Sequence, residues 1–256
     1  MTFPNFPNKY DEKSLLTAKD FWDYKRKIGR IPEINPLKGV ILCYSPTLLN
    51  FIIKKDNVKK VDNVVGDFFY VLDEEGSQIG ICGGFGIGGP IVGILLEELT
   101  AFGIKKYISI GVAGSLQADI KLGSIIVCDK AIRDEGVSHH YLQPEKYAYP
   151  SESLTNLLIN TIKELNIDYI KGPTWTIDAP YRETTAEVKH YQKEGILTVE
   201  MEAASLFAVA QYLDVEAGAI LTISDYLFEE EWELHFHLTE EHLKKLFSIA
   251  KNTLMI

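Results

Sequence analysis

The sequence predicts an α/β fold in which a central β-sheet is covered by helices on both faces. Three observations lead to this prediction. After Pro36, short apolar runs alternate with amphipathic stretches along the rest of the chain. Several of these runs are apolar at every position, which is typical of strands that are buried on both faces. The 256 residues are 46% hydrophobic, which is enough to build a large core.

The elements can be placed in order along the chain. Residues 1–36 are rich in Pro, Asn, Lys and aromatic residues and are predicted to form an N-terminal arm with one short helix around residues 14–27. Residues 37–256 are predicted to form a single domain. The short apolar runs predict strands at 39–44, 67–72, 78–82, 107–111, 124–128, 170–177 and 217–223. The longer periodic stretches predict helices at 46–54, 89–102, 151–165, 184–194, 201–213 and 239–253.

Charge and cysteine usage limit the class of partner and the compartment. Asp and Glu number 36 against 26 Lys and Arg, so the net charge is −10, which argues against nucleic acid and anionic membranes as partners. A small molecule is therefore expected. Cys43, Cys82 and Cys128 show no metal-ligand spacing and are expected to be reduced structural thiols, with no metal bound. The first residues lack the basic and apolar regions of a signal peptide, so we expect a cytoplasmic protein.

Two carboxylates stand out at the start of the predicted helix 201–213. Glu200 and Glu202 flank Met201 in a stretch that is otherwise mostly apolar. Carboxylates are rarely buried without a partner. One interpretation is that they simply favour the positive end of the helix dipole. The other is that one of them binds a polar ligand such as a sugar diol, with Met201 as an apolar floor.

Two glycine-rich loops each follow a predicted strand. The first, GGFGIGGP at 83–90, includes Gly86 and precedes a helix, and the second is GVAGSL at 111–116. The first loop lacks the acidic residue that a dinucleotide site places about 20 residues further on. It is either a tight turn or a loop whose N–H groups approach an anion or a sugar. Since both loops leave the carboxyl edge of the sheet, they can meet at one small-molecule crevice.

Asp225 is predicted to lie just past the buried strand 217–223, at the edge of the sheet. Apolar surroundings favour the protonated form of a carboxyl group, which suits a general acid. The alternative is an Asp that begins a turn. The acidic residues 229–233 are interpreted as a solvated surface, and His235 and His237 lack the other ligands of a metal site.

At this point the sequence resembles the nucleoside phosphorylase family, which includes uridine phosphorylase, the hexameric purine nucleoside phosphorylases and the methylthioadenosine nucleosidases. The resemblance covers about residues 37–253. It rests on glycine loop 83–90 and on the motifs IGVAGSLQADIKLGSIIV at 110–127, AIRDEGVSHHY at 131–141, TIDAPYRET at 176–184, VEMEAASLFAVA at 199–210 and ISDYL at 223–227.

The resemblance implies a three-layer α/β/α sandwich with a central mixed β-sheet, which cleaves the N-glycosidic bond of a nucleoside. It also implies a homo-oligomer: a dimer, a trimer of dimers or a hexamer. By position, Glu202 would bind the ribose 2′- and 3′-hydroxyls beside Glu200 and Met201, and Asp225 would protonate the ring nitrogen of a leaving purine. Further substrate-binding residues would be Pro180 and Tyr181 beside the base, together with Val112, Ala113, Gly114 and Ser224.

The sequence departs from this family at the phosphate site. Where phosphorylases of the family have G-D-P-x-x-R after the first strand, this chain has residues 44–48, YSPTL. Where they have Arg-x-Gly before the second glycine loop, it has Ser109-Ile110-Gly111, and residues 66–70 contain no arginine. Without arginine a phosphate dianion is poorly compensated. Gly86, Ser109 and Arg133 remain as candidates for an altered anion site.

Several functions therefore stay open at the level of the sequence. The expectation is phosphorolysis of a purine nucleoside to base and ribose 1-phosphate in nucleoside salvage, with inorganic phosphate as co-substrate and no other cofactor. The alternatives are a hydrolytic nucleosidase, a uridine-type pyrimidine phosphorylase and a catalytically weak nucleoside-binding protein. The arginine that assists the general acid in purine phosphorylases is replaced by Leu238, although His235 or His237 is close enough in sequence to serve.

Overall fold

The structure is a computed structural model that describes residues 4–6, 9–55, 57–65, 68–74, 76–227 and 232–256. In these ranges the helices are α1 (Ala18–Lys27), α2 (Pro46–Lys55), α3 (Gly89–Phe102), α4 (Ser138–Tyr141), α5 (Glu152–Glu164), α6 (Thr185–Lys193), α7 (Ala203–Tyr212) and α8 (Glu240–Met255). The strands are β1 (Val40–Cys43), β2 (Val58–Lys60), β3 (Phe69–Glu74), β4 (Ser77–Gly83), β5 (Lys106–Ser115), β6 (Ile125–Asp134), β7 (Tyr147–Ala148), β8 (Ile170–Ile177), β9 (Thr198–Glu200), β10 (Glu216–Tyr226) and β11 (Glu233–Leu234).

One mixed sheet contains all of these strands. Strands β5, β10, β6, β8 and β9 pair in a closed ring, because β5 bonds to both β9 and β10. From β5 the sheet continues through β1, β4, β3 and β2. Strand β1 is parallel to β4 and β5, and β5 is parallel to β10, whereas β10 runs antiparallel to β6. The prediction of an α/β fold with a central mixed sheet is confirmed.

Alternating residues of the central strands face opposite layers of helices. In β1, Val40 and Leu42 pack into the core beneath α3 and α7, whereas Ile41 and Cys43 pack into the core beneath α2, α5 and α8. All four side chains are fully buried. A period of two residues with both faces covered explains why the strand is apolar throughout.

The N-terminal residues include helix α1, which packs against α3. Thr17 and Asp20 form a capping box at the start of α1. Trp22, the one buried residue of α1, donates its indole N–H to the carbonyl of Glu98 at 2.7 Å. None of the helices in the described ranges combines the length and the apolar composition needed to cross a membrane.

Most predicted elements appear, and the differences have physical reasons. Strands β5, β6 and β10 continue well beyond their apolar runs, because small and polar residues extend them around the closed ring. Strands β2, β7, β9 and β11 have three residues or fewer and were not predicted. The first residue of predicted strand 67–72 and most of the acidic tract, residues 229–231, lie outside the described residues.

The helix predicted to begin at residue 201 begins at Ala203 instead. Glu200 is therefore the last residue of β9, and Glu202 is the N-cap residue of α7, so the two carboxylates do not share a first helical turn. The pairing of β9 with β5 and β8 fixes Glu200 in the extended conformation.

Candidate active site

The candidate active site lies where β5 meets both carboxylate-bearing strands. Gly114 of β5 pairs with Val199 of β9 on one side and with Asp225 of β10 on the other. A Cβ atom on Gly114 would lie 3.0 Å from Oδ2 of Asp225 and 2.3 Å from Leu227. The absence of a side chain at Gly114 thus leaves room for the side chains of Asp225 and Leu227. The ring brings Glu200 and Asp225 to the same end of β5.

Glu200 is a buried acceptor with three donors. Its Oε1 accepts from the Thr176 hydroxyl at 2.5 Å, and its Oε2 accepts from the N–H groups of Glu202 and Ala203 at 2.7 Å each. Since those two N–H groups lie at the start of α7, Glu200 caps this helix from the preceding strand. Glu200 thereby holds the chain that carries Glu202.

Glu202 faces the first glycine loop. Its Oε1 accepts from the N–H of Gly88 at 2.6 Å, across 114 residues of sequence. Gly88 has a φ of +101°, a conformation that favours glycine. Burial raises the pKa of Glu202, and the neighbouring charge of Glu200 raises it further. A buried carboxyl with one oxygen on the loop is suited to bind hydroxyl groups.

Tyr44 and Ser109 occupy the two positions at which the resemblance places phosphate-binding residues. Their hydroxyl groups are hydrogen-bonded at 3.1 Å. The Tyr44 ring packs edge-on against Phe85 of the glycine loop at 5.4 Å and lies beside Gly111. Burial raises the pKa of Tyr44, and the charge of Glu202 raises it further. Tyr44 is therefore a neutral hydroxyl group that lies near the carboxylates.

Leu48 and Leu49, the two leucines that follow Pro46, are 1% and 6% exposed and pack in the core beneath α2 and α8. The described residues around Tyr44 thus offer hydroxyl and backbone groups to an acceptor, rather than a guanidinium.

Asp225 lies within β10, not past its end as predicted, because it pairs with both Gly114 and Leu234. It is 5% exposed. Its Oδ1 accepts from the Ser224 hydroxyl at 2.5 Å, and its Oδ2 accepts from the indole N–H of Trp232 at 2.7 Å. A register shift in β10 at Ser224 turns these two consecutive side chains toward each other.

Glu183 is a second carboxyl group near Asp225 that sequence reasoning did not select. It follows the 3-10 turn Pro180–Arg182 and is half-buried. Burial raises the pKa of Glu183 to about 7, and the charge of Asp225 adds to the effect. Glu183 and Asp225 are therefore close enough for the charge of one to affect the other.

Arg133 is engaged by the chain that surrounds α4. Its Nε donates to the Ser138 hydroxyl at 2.8 Å, and its two terminal nitrogens donate to the carbonyls of Ser138, Leu142 and Gln143. Four of its five N–H donors are thus directed at structural acceptors. This buried arginine supports α4, and at most one of its N–H groups remains for an anion.

The remaining predicted residues differ in their surroundings. Ala113 and Ser224 are buried, Val112 and Met201 are half-buried, and Gly86 lies in the exposed part of its loop with a φ of +97°. Tyr181 is 89% exposed, so the single chain does not bring its ring against the other candidate residues.

The described residues contain no group of three or more His, Cys, Asp or Glu side chains placed to hold a metal ion. Cys43, Cys82 and Cys128 are buried and unpaired by disulfides. His235 contacts Glu233 and Tyr226 rather than Asp225.

A known family matches most of this chain. Residues 38–252 match the family model described as "Phosphorylase superfamily". The chain belongs to this superfamily.

Three related phosphorylases are named for different nucleosides. A guanosine phosphorylase of Halorubrum lacusprofundi is 33% identical over 153 residues, which cover 60% of this chain and 63% of that protein, just under two thirds of its length. A DeoD-type purine nucleoside phosphorylase of Haemophilus ducreyi is 33% identical over 77% of this chain and 86% of that protein. A uridine phosphorylase of Haemophilus influenzae is 30% identical over 57% of this chain and 63% of that protein.

Proposed function

We propose that this chain cleaves the N-glycosidic bond of a purine nucleoside and transfers the ribosyl group to inorganic phosphate through an altered phosphate site. The products are the free base and ribose 1-phosphate. The observation that carries the proposal is that β9, which leads into the start of α7 at Glu202, and Asp225 of β10 meet at Gly114 of β5 in a member of the phosphorylase superfamily. Relatives named as purine nucleoside and guanosine phosphorylases support a purine as the base.

The chemistry assigns one role to each carboxyl group. Glu202 binds the ribose hydroxyls and stabilises the positive charge that develops on the sugar as the bond breaks. Asp225 acts as the general acid that gives a proton to the ring nitrogen of the purine, which leaves with the electron pair of the C–N bond. A phosphate oxygen then forms the new bond to the sugar carbon. Tyr44, Ser109 and the N–H groups of the glycine loop are the nearby donors for that phosphate.

Base release from a panel of purine and pyrimidine nucleosides, each with and without phosphate, tests this proposal. Phosphate-dependent release of a purine with formation of ribose 1-phosphate is expected. A preference for uridine would favour a uridine-type enzyme, and no release from any nucleoside would favour a nucleoside-binding protein.

Hydrolysis is the second candidate, and one contact favours it. The hydroxyl groups of Tyr44 and Ser109 are neutral and hydrogen-bonded to each other. The negative charges of the nearby carboxylates oppose the approach of a phosphate dianion. The variant Tyr44→Phe distinguishes phosphorolysis from hydrolysis. If the hydroxyl group binds phosphate, the variant has a higher KM for phosphate and an unchanged KM for the nucleoside. Release of free ribose at a rate that does not depend on phosphate would establish hydrolysis instead.

We also propose where the enzyme acts and how it assembles. It acts in nucleoside salvage in the cytoplasm, where its three buried thiols remain reduced. It needs no cofactor other than its two substrates. It forms a homo-oligomer in which residues 1–36 act as an arm against a neighbouring subunit and residues 37–256 form the catalytic domain.

A further inference from the structure

Trp232 is the residue outside β10 that donates a hydrogen bond to the candidate general acid. Its indole N–H lies 2.7 Å from Oδ2 of Asp225. The position at which related purine phosphorylases carry an assisting arginine holds Leu238, which is 49% exposed. His235 directs its ring to Glu233 instead.

The pairing of β10 with β11 explains how Trp232 reaches Asp225. Asp225 pairs with Leu234, and Tyr226 pairs with Glu233. One step further along the same antiparallel register places Trp232 opposite Leu227, on the face of the ribbon that carries Asp225. Diagonal neighbours on one face of such a ribbon are within reach of an aromatic side chain.

Burial alone does not force this contact. Trp22 and Trp175 are 2% and 0% exposed, and each donates its N–H to a protein acceptor, as a buried indole must. Trp232 is 51% exposed, so its ring is not held at Asp225 by a surrounding core. Its N–H is nevertheless directed at the carboxyl group of Asp225.

We propose that Trp232 is a positioning residue for Asp225, which orients the carboxyl group toward the base and stabilises the carboxylate left after proton transfer. This inference rests on the proposed cleavage of a purine nucleoside. The proton passes from Asp225 to N7 of the purine while the bond from N9 to the sugar breaks and its electron pair stays with the base. The resulting carboxylate accepts from Ser224 on one oxygen and from Trp232 on the other. Both contacts suit the ionised product state.

A substrate that needs no proton isolates this role. Inosine methylated at N7 carries a positive leaving group, so its cleavage does not require a general acid. Trp232→Phe keeps an aromatic ring and removes the N–H. For inosine we expect kcat to fall by about 10- to 100-fold, as for one lost hydrogen bond to a charged group. For the methylated nucleoside we expect kcat to be unchanged.

Two controls separate positioning from structural damage. In an Asp225→Asn background, Trp232→Phe should cause no further loss with inosine, because the group it acts through has gone. Independently of activity, the indole N–H resonance of Trp232 should move in Asp225→Asn, while those of Trp22 and Trp175 stay in place.

Failure of the role of Trp232 and failure of the proposed function give different results. Equal losses on both substrates, an additive loss in the double variant, or no loss on inosine would overturn the role of Trp232 while glycosidic cleavage stands. A wild-type enzyme that releases no base from either nucleoside would overturn the proposed function and this inference together.

Discussion

At the scale of single residues, the site contains buried carboxyl groups whose desolvation is partly compensated by specific donors. Glu200 has three donors and holds the start of α7, whereas Glu202 contacts the loop through Gly88. The first carboxyl group thus supports the start of α7, and the second is the one for which we propose sugar binding. Burial without compensation would strongly disfavour either charge.

Glu202→Gln should remove most of the activity and leave the fold intact. The amide keeps the shape of the side chain but replaces one acceptor with a donor, so it can no longer accept from two ribose hydroxyls. We expect kcat/KM for the nucleoside to fall on the order of 100-fold. Steady-state kinetics measure this, with the melting temperature as a check on folding. Retention of wild-type kcat/KM would show that Glu202 is not the sugar ligand.

Glu183 gives the protein a stability that depends on pH. Its pKa is raised to about 7 in the folded protein, above the ordinary value of 4.5. Its stabilising contribution is thus complete below about pH 4.5 and is lost as the pH rises through about 7. Glu183→Gln should unfold with a free energy that is higher than that of the wild type at pH 8 by about 1–2 kcal/mol, after allowance for its exposed part.

Urea denaturation at pH 5 and pH 8 measures the Glu183 effect. Glu164→Gln, at the exposed end of α5, is the matched control. A difference between Glu183→Gln and the wild type that is the same at both pH values would contradict the prediction.

At the scale of elements, strand β5 determines the geometry of the site. Its residue Gly114 pairs with β9 on one side and with β10 on the other, and the missing side chain leaves space for Asp225 and Leu227. The short strand β9 therefore matters more than its three residues suggest, because it carries Glu200 and leads directly into α7.

Gly114→Ala should damage both stability and activity. The new methyl group would lie 2.3 Å from Cδ1 of Leu227 and 3.0 Å from Oδ2 of Asp225, so both side chains would have to shift. We expect a loss of about 1–3 kcal/mol in stability, as for an overpacked core, together with a fall in kcat. Gly218→Ala is the control, since the atoms nearest to a Cβ there are side-chain atoms of Leu158 and Leu154, at 3.0 to 3.9 Å, and lie away from the candidate site. Loss of stability with unchanged kcat in Gly114→Ala would remove Gly114 from the site.

At the scale of the whole molecule, the single chain exposes large apolar side chains near α1 and α3. Leu15 and Leu16 precede α1 and are 103% and 79% exposed, and Phe21 and Ile94 are 40% and 54% exposed. A cluster of this kind indicates an interaction surface. It agrees with the proposed homo-oligomer, in which the N-terminal arm contacts a second subunit.

Leu15→Glu combined with Leu16→Glu should shift the protein toward smaller assemblies. Two charges would have to be buried at the proposed contact, which is strongly unfavourable. Light scattering after size-exclusion chromatography measures the mass. Leu165→Glu, at the end of α5, serves as the control. A wild-type protein that is monomeric at micromolar concentration, or a double variant with unchanged mass, would contradict the prediction.

Local sequence patterns were sufficient to predict much of the secondary structure and the fold class. The apolar runs and helical periodicity gave strand β8 and helix α3 their observed bounds, and predicted the sheet covered on both faces. The glycine loop, the carboxylates at 200–202 and Asp225 stood out for the same reason. Their unusual composition is visible within a few residues of chain.

The tertiary structure alone decided which of these groups act together. The contacts of Tyr44 with Ser109 and of Gly88 with Glu202 join residues 65 and 114 positions apart. The engagement of Arg133 by α4 and the donation from Trp232 to Asp225 were equally absent from the local pattern. Each depends on strand pairing or chain reversal, and a residue's local sequence carries no information about which distant partner will satisfy its hydrogen bonds.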